Sequence, residues 1–441
     1  MRCGFCQAAC PVYREEGTEF SVARGKLILI EAVLDGRSPL TPAVRDALDA
    51  CLLCKSCRAA CPSGVRTDLI MAAGREMAAE RHGLGVVKAN ALAALRRPKV
   101  LGVASAIGAR LWGLAFAREA DGNLWRLRVP PGNLYPRLPA LSFVSRLARG
   151  ELGAVADPES ATIVVGRSAA AKTVIFFPGC LVHYMLPEVG LAAVKVLLAA
   201  RMGVIVPARP TCCGTPLYVN GDRAGATELA ETNLAWLSQP GVTLSLSAGD
   251  KAGMVLEEPA PVVFACPSCA ESWRGYPELV GERWVTAAKE AAGRVVDISV
   301  FLSKAAPGTF GEPARRDEWP VAGGPGRTVT YHDPCHLAQA QGVRSEPRAL
   351  LKALPGVTLK EMADPGACCG SGGTFGLFHV DLSRRIGGKK AKDIAETGAD
   401  TVATGCPACL LQIRQELHLA GQSQVAVRHT VELLAAALGD E

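Results

Sequence analysis

Thr328-Val329-Thr330-Tyr331-His332-Asp333-Pro334-Cys335-His336 decides the fold, because its pattern is met twice. A run of β-branched and aromatic residues ends on Pro and Cys, and the same pattern stands at Thr173-Val174-Ile175-Phe176-Phe177-Pro178-Gly179-Cys180. Such runs read as buried strands. Cys180 and Cys335 lie 155 residues apart, and the pairs Cys212-Cys213 and Cys368-Cys369, each followed by Gly, lie 156 apart. Cys266-Pro267-Ser268-Cys269 and Cys406-Pro407-Ala408-Cys409 are separated by 140, so the first copy carries an insertion, which the Ser- and Gly-containing stretch 241–253 accommodates. Each copy runs strand (173–177; 328–331), helix (191–200 in the first), short strand (204–206; 357–359), Cys-Cys-Gly, helix, and third strand (262–265; 401–403). Strands alternating with helices predict a parallel α/β sheet with the cysteines at the carboxyl ends of its strands. The Gly/Pro-rich run 306–326 reads as the linker between copies.

Upstream lies a different pattern. Cys51-x-x-Cys54-x-x-Cys57-x-x-x-Cys61-Pro62 has the spacing of a bacterial ferredoxin motif, whose fourth cysteine serves the other of two clusters. Cys51, Cys54 and Cys57 with Cys10 are therefore expected to hold one [4Fe–4S] cluster. The companion motif, Cys3-x-x-Cys6-x-x-x-Cys10-Pro11, is one ligand short, and its missing cysteine falls one residue ahead of Met1. The native start is expected upstream; otherwise Cys3, Cys6 and Cys61 form an incomplete site, a [3Fe–4S] centre or a cubane with an external ligand. Tetrahedral zinc also uses Cys-x-x-Cys pairs but lacks the triple spacing and the trailing Cys-Pro. Helices are expected at 20–34 and at 42–52, the latter with Thr41 as N-cap and Pro42 at its first position.

The three groups hold seven, five and five cysteines, which accounts for all 17 in a chain of 441 residues. That length predicts about three domains. Clustered Cys-x-x-Cys in a chain able to build several cores reads as metal binding in a reducing compartment. The opening residues lack an apolar signal region, and no run of 18 uninterrupted apolar residues occurs, so a cytoplasmic location is expected. Aromatic content of 5% argues against nucleic acid as a partner. No Gly-x-Gly-x-x-Gly opens a helix after a strand and no phosphate loop is present, so neither a flavin nor an NAD site is expected. The net charge of +6 is concentrated: residues 81–150 hold 12 Lys/Arg against 2 Asp/Glu. That stretch reads as a solvated basic face or as a docking surface for an acidic partner subunit or for anionic lipid. Within it, 100–117 reads as a docking helix rather than one lying on a membrane surface.

In each repeat Cys180, Cys212, Cys213, Cys266 and Cys269, or Cys335, Cys368, Cys369, Cys406 and Cys409, supply five thiolates, one more than an ordinary cubane takes. Adjacent cysteines suit a larger cluster, with mononuclear zinc or buried thiols as the alternative. His183, His332, His336 and His379 lie near these cysteines in sequence and are candidates for proton relay or, more ordinarily, for packing and backbone hydrogen bonds. Arg24, Lys26 and Glu31 fit a solvated helix face.

Cys3-Gly4-Phe5-Cys6, Phe177-Pro178-Gly179-Cys180, His332-Asp333-Pro334-Cys335-His336 and Cys368-Cys369-Gly370-Ser371-Gly372-Gly373-Thr374-Phe375 make the chain resemble the iron–sulfur subunit of bacterial glycolate oxidase. It equally resembles its relatives in lactate utilisation and anaerobic glycerol-3-phosphate dehydrogenase. The Cys-Cys-Gly repeat is similar to the cysteine-rich chain of heterodisulfide reductase, where such cysteines hold noncubane [4Fe–4S] clusters. Both copies keep two cysteines in the last motif, nearer to heterodisulfide reductase. The resemblance implies an α+β multidomain protein: a helical two-cluster ferredoxin domain (1–80), a basic helical connector (81–170), a first cysteine-rich domain (171–305), a linker, and a second cysteine-rich domain (327–441). It implies an electron-transfer subunit of a glycolate- or lactate-type oxidase or dehydrogenase complex, active with a partner FAD-binding 2-hydroxy-acid dehydrogenase and passing electrons to quinone or another acceptor. Peripheral association with the inner face of the cell membrane goes with that function. A heterodisulfide-reductase-like protein, with a catalytic Cys-Cys-Gly cluster reducing a disulfide or quinone, is the alternative.

Overall fold

The structure is a computed structural model that describes residues 3–119, 124–129, 132–158, 160–166, 172–239, 242, 259–306, 308–310 and 327–438. Most of the expected insertion and of the expected linker lies outside the described residues.

The N-terminal region is helical, as the cysteine spacing requires of a loop-and-helix cluster fold. Helix Ala23–Leu34 follows a 3₁₀ turn at Glu19–Ser21, and helix Pro42–Asp49 starts where Thr41 Oγ1 accepts the Val44 N–H at 3.3 Å. Helix Thr67–His82 packs across both. The two ferredoxin motifs share one backbone device. Gly4 and Lys55, each directly after the first cysteine of a Cys-x-x-Cys, take left-handed φ of 82° and 63° and cap the short helices Phe5–Ala9 and Ser56–Ala59.

Helices Val86–Leu95 and Pro98–Ala115 lead into an antiparallel sheet of β1 (Phe116–Arg118), β2 (Trp125–Leu127) and β3 (Leu134–Tyr135). The basic helical connector expected over 81–170 is largely helical to Ala115, with one short further helix at Phe143–Leu147. Beyond it, short runs of aromatic and β-branched residues pair as strands instead. β4 (Val155–Asp157) and β5 (Thr162–Val165) join the sheet of the first repeat as antiparallel strands. Thr162-Ile163-Val164-Val165 has the β-branched composition of a strand but lies outside the cysteine repeat that marked the others.

The first repeat supplies β6 (Thr173–Phe177), β7 (Gly203–Pro207), β8 (Val262–Phe264) and β9 (Val295–Asp297); its sheet order is β4-β5-β7-β6-β8-β9. The second supplies β10 (Arg327–His332), β11 (Val357–Leu359), β12 (Thr401–Thr404) and β13 (Ala426–His429), in the order β11-β10-β12-β13. All pairs from β7 through β9, and all pairs in the second sheet, are parallel. Removing the β4–β5 extension leaves the same order twice, with β9 and β13 as a fourth strand in each copy.

The copies face each other about a pseudo-two-fold axis. Helix Pro187–Ala199 of the first packs on Thr430–Ala437 of the second, and helix Ile298–Ala305 of the first on Ser345–Ala353 of the second, which are the exchanged equivalents. Val194, Phe176 and Val206 of one copy and Leu434, Val402 and Leu410 of the other belong to a single buried apolar cluster. This is the contact pattern of an isologous dimer within one chain.

Candidate metal centres

Two glycines make the cysteine pairs possible. Gly214 and Gly370, the third residues of Cys-Cys-Gly, have φ of 89° and 86°, and a Cβ on Gly370 would stand 2.5 Å from the Ser383 carbonyl oxygen. Only glycine lets the backbone turn so close to the following helix. Cys266 and Cys406 stand two residues beyond β8 and β12 as N-caps of helices Pro267–Arg274 and Pro407–Leu419. Cys180 and Cys335 stand three residues beyond β6 and β10. The repeat cysteines thus gather at the carboxyl ends of the strands.

Their sulfurs form one continuous series. Cys212 Sγ lies 4.0 Å from Cys180 Sγ. Cys213 touches Cys212 and Cys269, and Cys269 touches Cys266. Cys266 meets its own equivalent Cys406 across the pseudo-two-fold axis; Cys406 touches Cys409, Cys409 touches Cys369, and Cys369 touches Cys368. Neighbouring S–H donors hold three thiols well below the ordinary value: Cys212 then Cys269 for Cys213, Cys368 then Cys409 for Cys369, and Cys266 then Cys409 for Cys406. Cys335 is pushed up by burial, with Cys54, Cys369 and Cys406 as nearby sulfurs. None of the 17 cysteines is in a disulfide.

Cys10, Cys51, Cys54 and Cys57 line a single cavity with Lys26, Thr67 and Met71, the grouping expected from the ferredoxin rule. Burial pushes the Cys10 thiol up to about 11 and the Cys57 thiol to about 12, and raises Cys54 as well. Thiols this reluctant to ionise become thiolates when a metal compensates their charge. The donor set is four soft sulfurs around one water-poor space, as an iron–sulfur cluster needs. Lys26 corrects the expectation of a solvated face: it is 1% exposed and its ammonium donates to the Ala50 carbonyl. Ala23, Lys26 and Ile30 form the buried stripe of their helix, so a cation sits where the apolar period puts the core. Arg24 instead pairs with Glu19 at 2.6 Å, and Glu31 is exposed.

The first motif is more open. Cys3 is exposed, Cys6 is half-buried, and helix Phe5–Ala9 packs against Ser56–Ala59, just ahead of Cys61. Backbone N–H groups of Val65, Ser63 and Gly64 converge on Cys61 and lower its thiol pKa.

Of the four histidines, His332 and His336 reach the cysteines. His336 Nδ1 lies 2.7 Å from Ser268 Oγ and Nε2 3.4 Å from the Leu53 carbonyl, so one ring joins the ferredoxin loop and both repeats. His332 is 1% exposed and comes together with Cys369 and Cys409, their donor atoms all within 4.8 Å of one another. His183 is buried, its pKa driven down to about 4 by desolvation. His379 packs tilted on Phe375, ring centroids 5.0 Å apart, beside the ferredoxin region. Arg75 was not legible as a site residue. It donates to the Leu48, Asp49 and Cys51 carbonyls and, at 2.7 Å, to that of Val219 in the first repeat, which locks the Cys51 loop onto that repeat.

Comparison with known proteins agrees with this layout. Residues 1–65 match the model of the 4Fe-4S dicluster domain, and residues 174–272 and 329–414 each match that of the cysteine-rich domain with the Cys-Cys-Gly motif. Over its full length the chain is 29% identical to the probable glycolate oxidase iron-sulfur subunit of Bacillus subtilis (strain 168), covering 93% of that protein. It is 26% identical, again over its full length, to the glycolate oxidase iron-sulfur subunit of Escherichia coli (strain K12), of which it covers 94%. It is also 26% identical, at full length, to one chain of the dihydromethanophenazine:CoB–CoM heterodisulfide reductase of Methanosarcina barkeri (strain Fusaro), covering 93%.

Proposed function

We propose that this chain, an iron–sulfur electron-transfer protein with a 4Fe-4S dicluster domain ahead of two cysteine-rich domains, is the subunit of a 2-hydroxy-acid oxidase or dehydrogenase complex that passes electrons from a partner flavoprotein to quinone or another acceptor. The observation that carries this reading is the series of neighbouring thiols from Cys180 to Cys368, with Cys54 of the ferredoxin cavity packed in the same apolar cluster as Cys368 and Cys335. Cys10, Cys51, Cys54 and Cys57 hold one cluster, Cys3, Cys6 and Cys61 belong to a second, and each group of five repeat cysteines holds a further one. When bound, iron–sulfur clusters supply one-electron carriers over a wide range of potential.

The chain's own residues do the rest. Cys54 borders Cys335 and Cys368, so the ferredoxin loop abuts the second repeat, and Cys266 borders Cys406, so the second repeat abuts the first. Leu52, Val12, Phe375 and Ile386 close the first of these junctions to water. Lys26 places positive charge within the sulfur shell of Cys10, Cys51 and Cys57. Such a charge favours the reduced, more negative state of whatever those sulfurs hold.

The flavoprotein docks on helix Pro98–Ala115. Val100, Val103, Ile107, Leu111 and Leu114 form a narrow exposed apolar stripe on its outer face, the width of a helix–helix seam. The surrounding region's excess of Lys/Arg suits an acidic rim on the partner. Among the described residues no helix is long and apolar enough to cross a membrane.

The test is anaerobic purification with and without the flavoprotein. We expect bound iron and acid-labile sulfide, a paramagnetic signal on dithionite reduction, and hydroxy-acid oxidation coupled to a quinone analogue only when both chains are present. Zinc without sulfide would sink the reading. Disulfide reduction by the chain alone with an artificial donor would favour the heterodisulfide-reductase-like alternative, which the five-cysteine complement of both repeats supports.

A further inference from the structure

The two repeats are equivalent in their cysteines but not in what lies beneath them. Strand register sets Phe177, Phe264 and Asp297 side by side at the carboxyl ends of β6, β8 and β9. The same register sets His332, Thr404 and His429 side by side at the ends of β10, β12 and β13. In the first repeat that floor is aromatic: Phe177 packs on Phe264 with ring centroids 5.5 Å apart and on Trp273 at 5.0 Å. In the second, the counterparts of Phe177, Phe264 and Trp273 are His332, Thr404 and Ile413.

His332 is the anomaly. It is 1% exposed, and neither ring nitrogen has a nitrogen or oxygen hydrogen-bond partner among the described residues. Two other histidines of this region are satisfied: His336 by Ser268 and Leu53, and His429 Nε2 by the Ala265 carbonyl at 3.0 Å. Thr404 Oγ1, beside His332 in the sheet, is likewise buried without such a partner. A buried orphan donor is costly unless the molecule completes it. What His332 faces is Cys369 and Cys409. A neutral imidazole always carries one N–H, so a donor is available whichever tautomer forms.

We propose that His332 donates an imidazole N–H to the Cys369 sulfur of the second cysteine-rich site, where the equivalent Cys213 sulfur of the first site meets the Thr215 hydroxyl at 3.2 Å instead, so that the two sites hold chemically unequal clusters. The inference rests on the cluster reading above and deepens it. A hydrogen bond to a ligating sulfur stabilises the more negative, reduced state. The imidazole therefore raises the potential of the second site, the one beside the ferredoxin loop, above the value it would have with phenylalanine in that place. His332 acts through the sulfur it faces and is a positioning residue.

The experiment uses the full chain, labelled with ring-¹⁵N histidine, reconstituted anaerobically with iron and sulfide and reduced with dithionite. A ¹⁵N hyperfine coupling is expected on one cluster signal. It should vanish in His332→Phe, which installs the residue of the first repeat, with iron and sulfide content unchanged. The reduction equilibrium of that signal should shift about tenfold toward the oxidised form, ~59 mV for a one-electron couple. His332→Gln, which keeps an N–H donor at similar size, should lose the ¹⁵N coupling yet retain the wild-type potential; it also serves where the Phe variant fails to fold. A reduced cluster with no histidine coupling, or a coupling that survives both substitutions, overturns the inference while the cluster reading stands. Preparations without iron and sulfide overturn the cluster reading itself.

Discussion

Glu416 is a carboxyl group buried close to the second set of thiols. It is 4% exposed and accepts hydrogen bonds from Gln412 Nε2 at 2.9 Å and Gln415 Nε2 at 3.0 Å. Burial raises its pKa to about 7, against the pull of Gln415 and Arg384. A folded pKa above the unfolded value gives stability that is complete below the unfolded pKa and drains away as pH rises through about 7. Glu416→Gln keeps the shape and removes the charge. At pH 8 it is expected to stabilise the protein by ~2 kcal/mol, a shift of a few degrees in Tm for a chain of this size, and to change little at pH 4.5. Thermal scans at the two pH values check this, and equal gains at both would refute it. Glu416 was not legible from sequence, because its position in helix Pro407–Leu419 gives no sign of which neighbours bury it. Lys26 escaped for the opposite reason: its place in the helical period was visible, but a lysine is normally assigned to water unless its partners are known.

At the level of elements, the six strands expected in the two repeats form within a residue or two of their expected ends, because short β-branched runs bounded by Gly, Pro or Cys are a local signal. β9 and β13 were missed: each is short, lacks a cysteine and runs directly into a helix. The helix Pro98–Ala115 was legible as an element, and its exposed stripe carries a prediction. Leu111→Glu is expected to leave the isolated chain's Tm within about 1 °C, since a substitution at an exposed position costs within ~0.5 kcal/mol. The same change should weaken flavoprotein binding at least tenfold, as loss of a central apolar anchor does. Titration of the two purified chains measures it. Unchanged affinity would remove the partner from this helix, and co-sedimentation of the wild type with anionic vesicles, lost in the variant, would assign the stripe to lipid instead.

For the whole molecule, the two repeats share one apolar core and exchange equivalent helices across their interface. Neither is expected to fold alone. Residues 327–441 expressed by themselves should show no cooperative thermal transition and should expose apolar surface to a dye, while co-expression with residues 1–326 restores both the transition and iron binding. A sharp transition in the isolated half would refute this. The repeat and its cysteine groups were legible from sequence but this arrangement was not, because Cys266 and Cys406 meet only through tertiary packing and nothing in their 140-residue offset says that equivalents touch.

An axis relating two halves of one polypeptide has an evolutionary reading. A gene encoding a single half would yield a homodimer with two identical pockets, each change in one forced upon the other. Joining the halves end to end frees that constraint. Phenylalanine under one pocket and histidine under its twin is a divergence that no symmetric ancestor was able to hold.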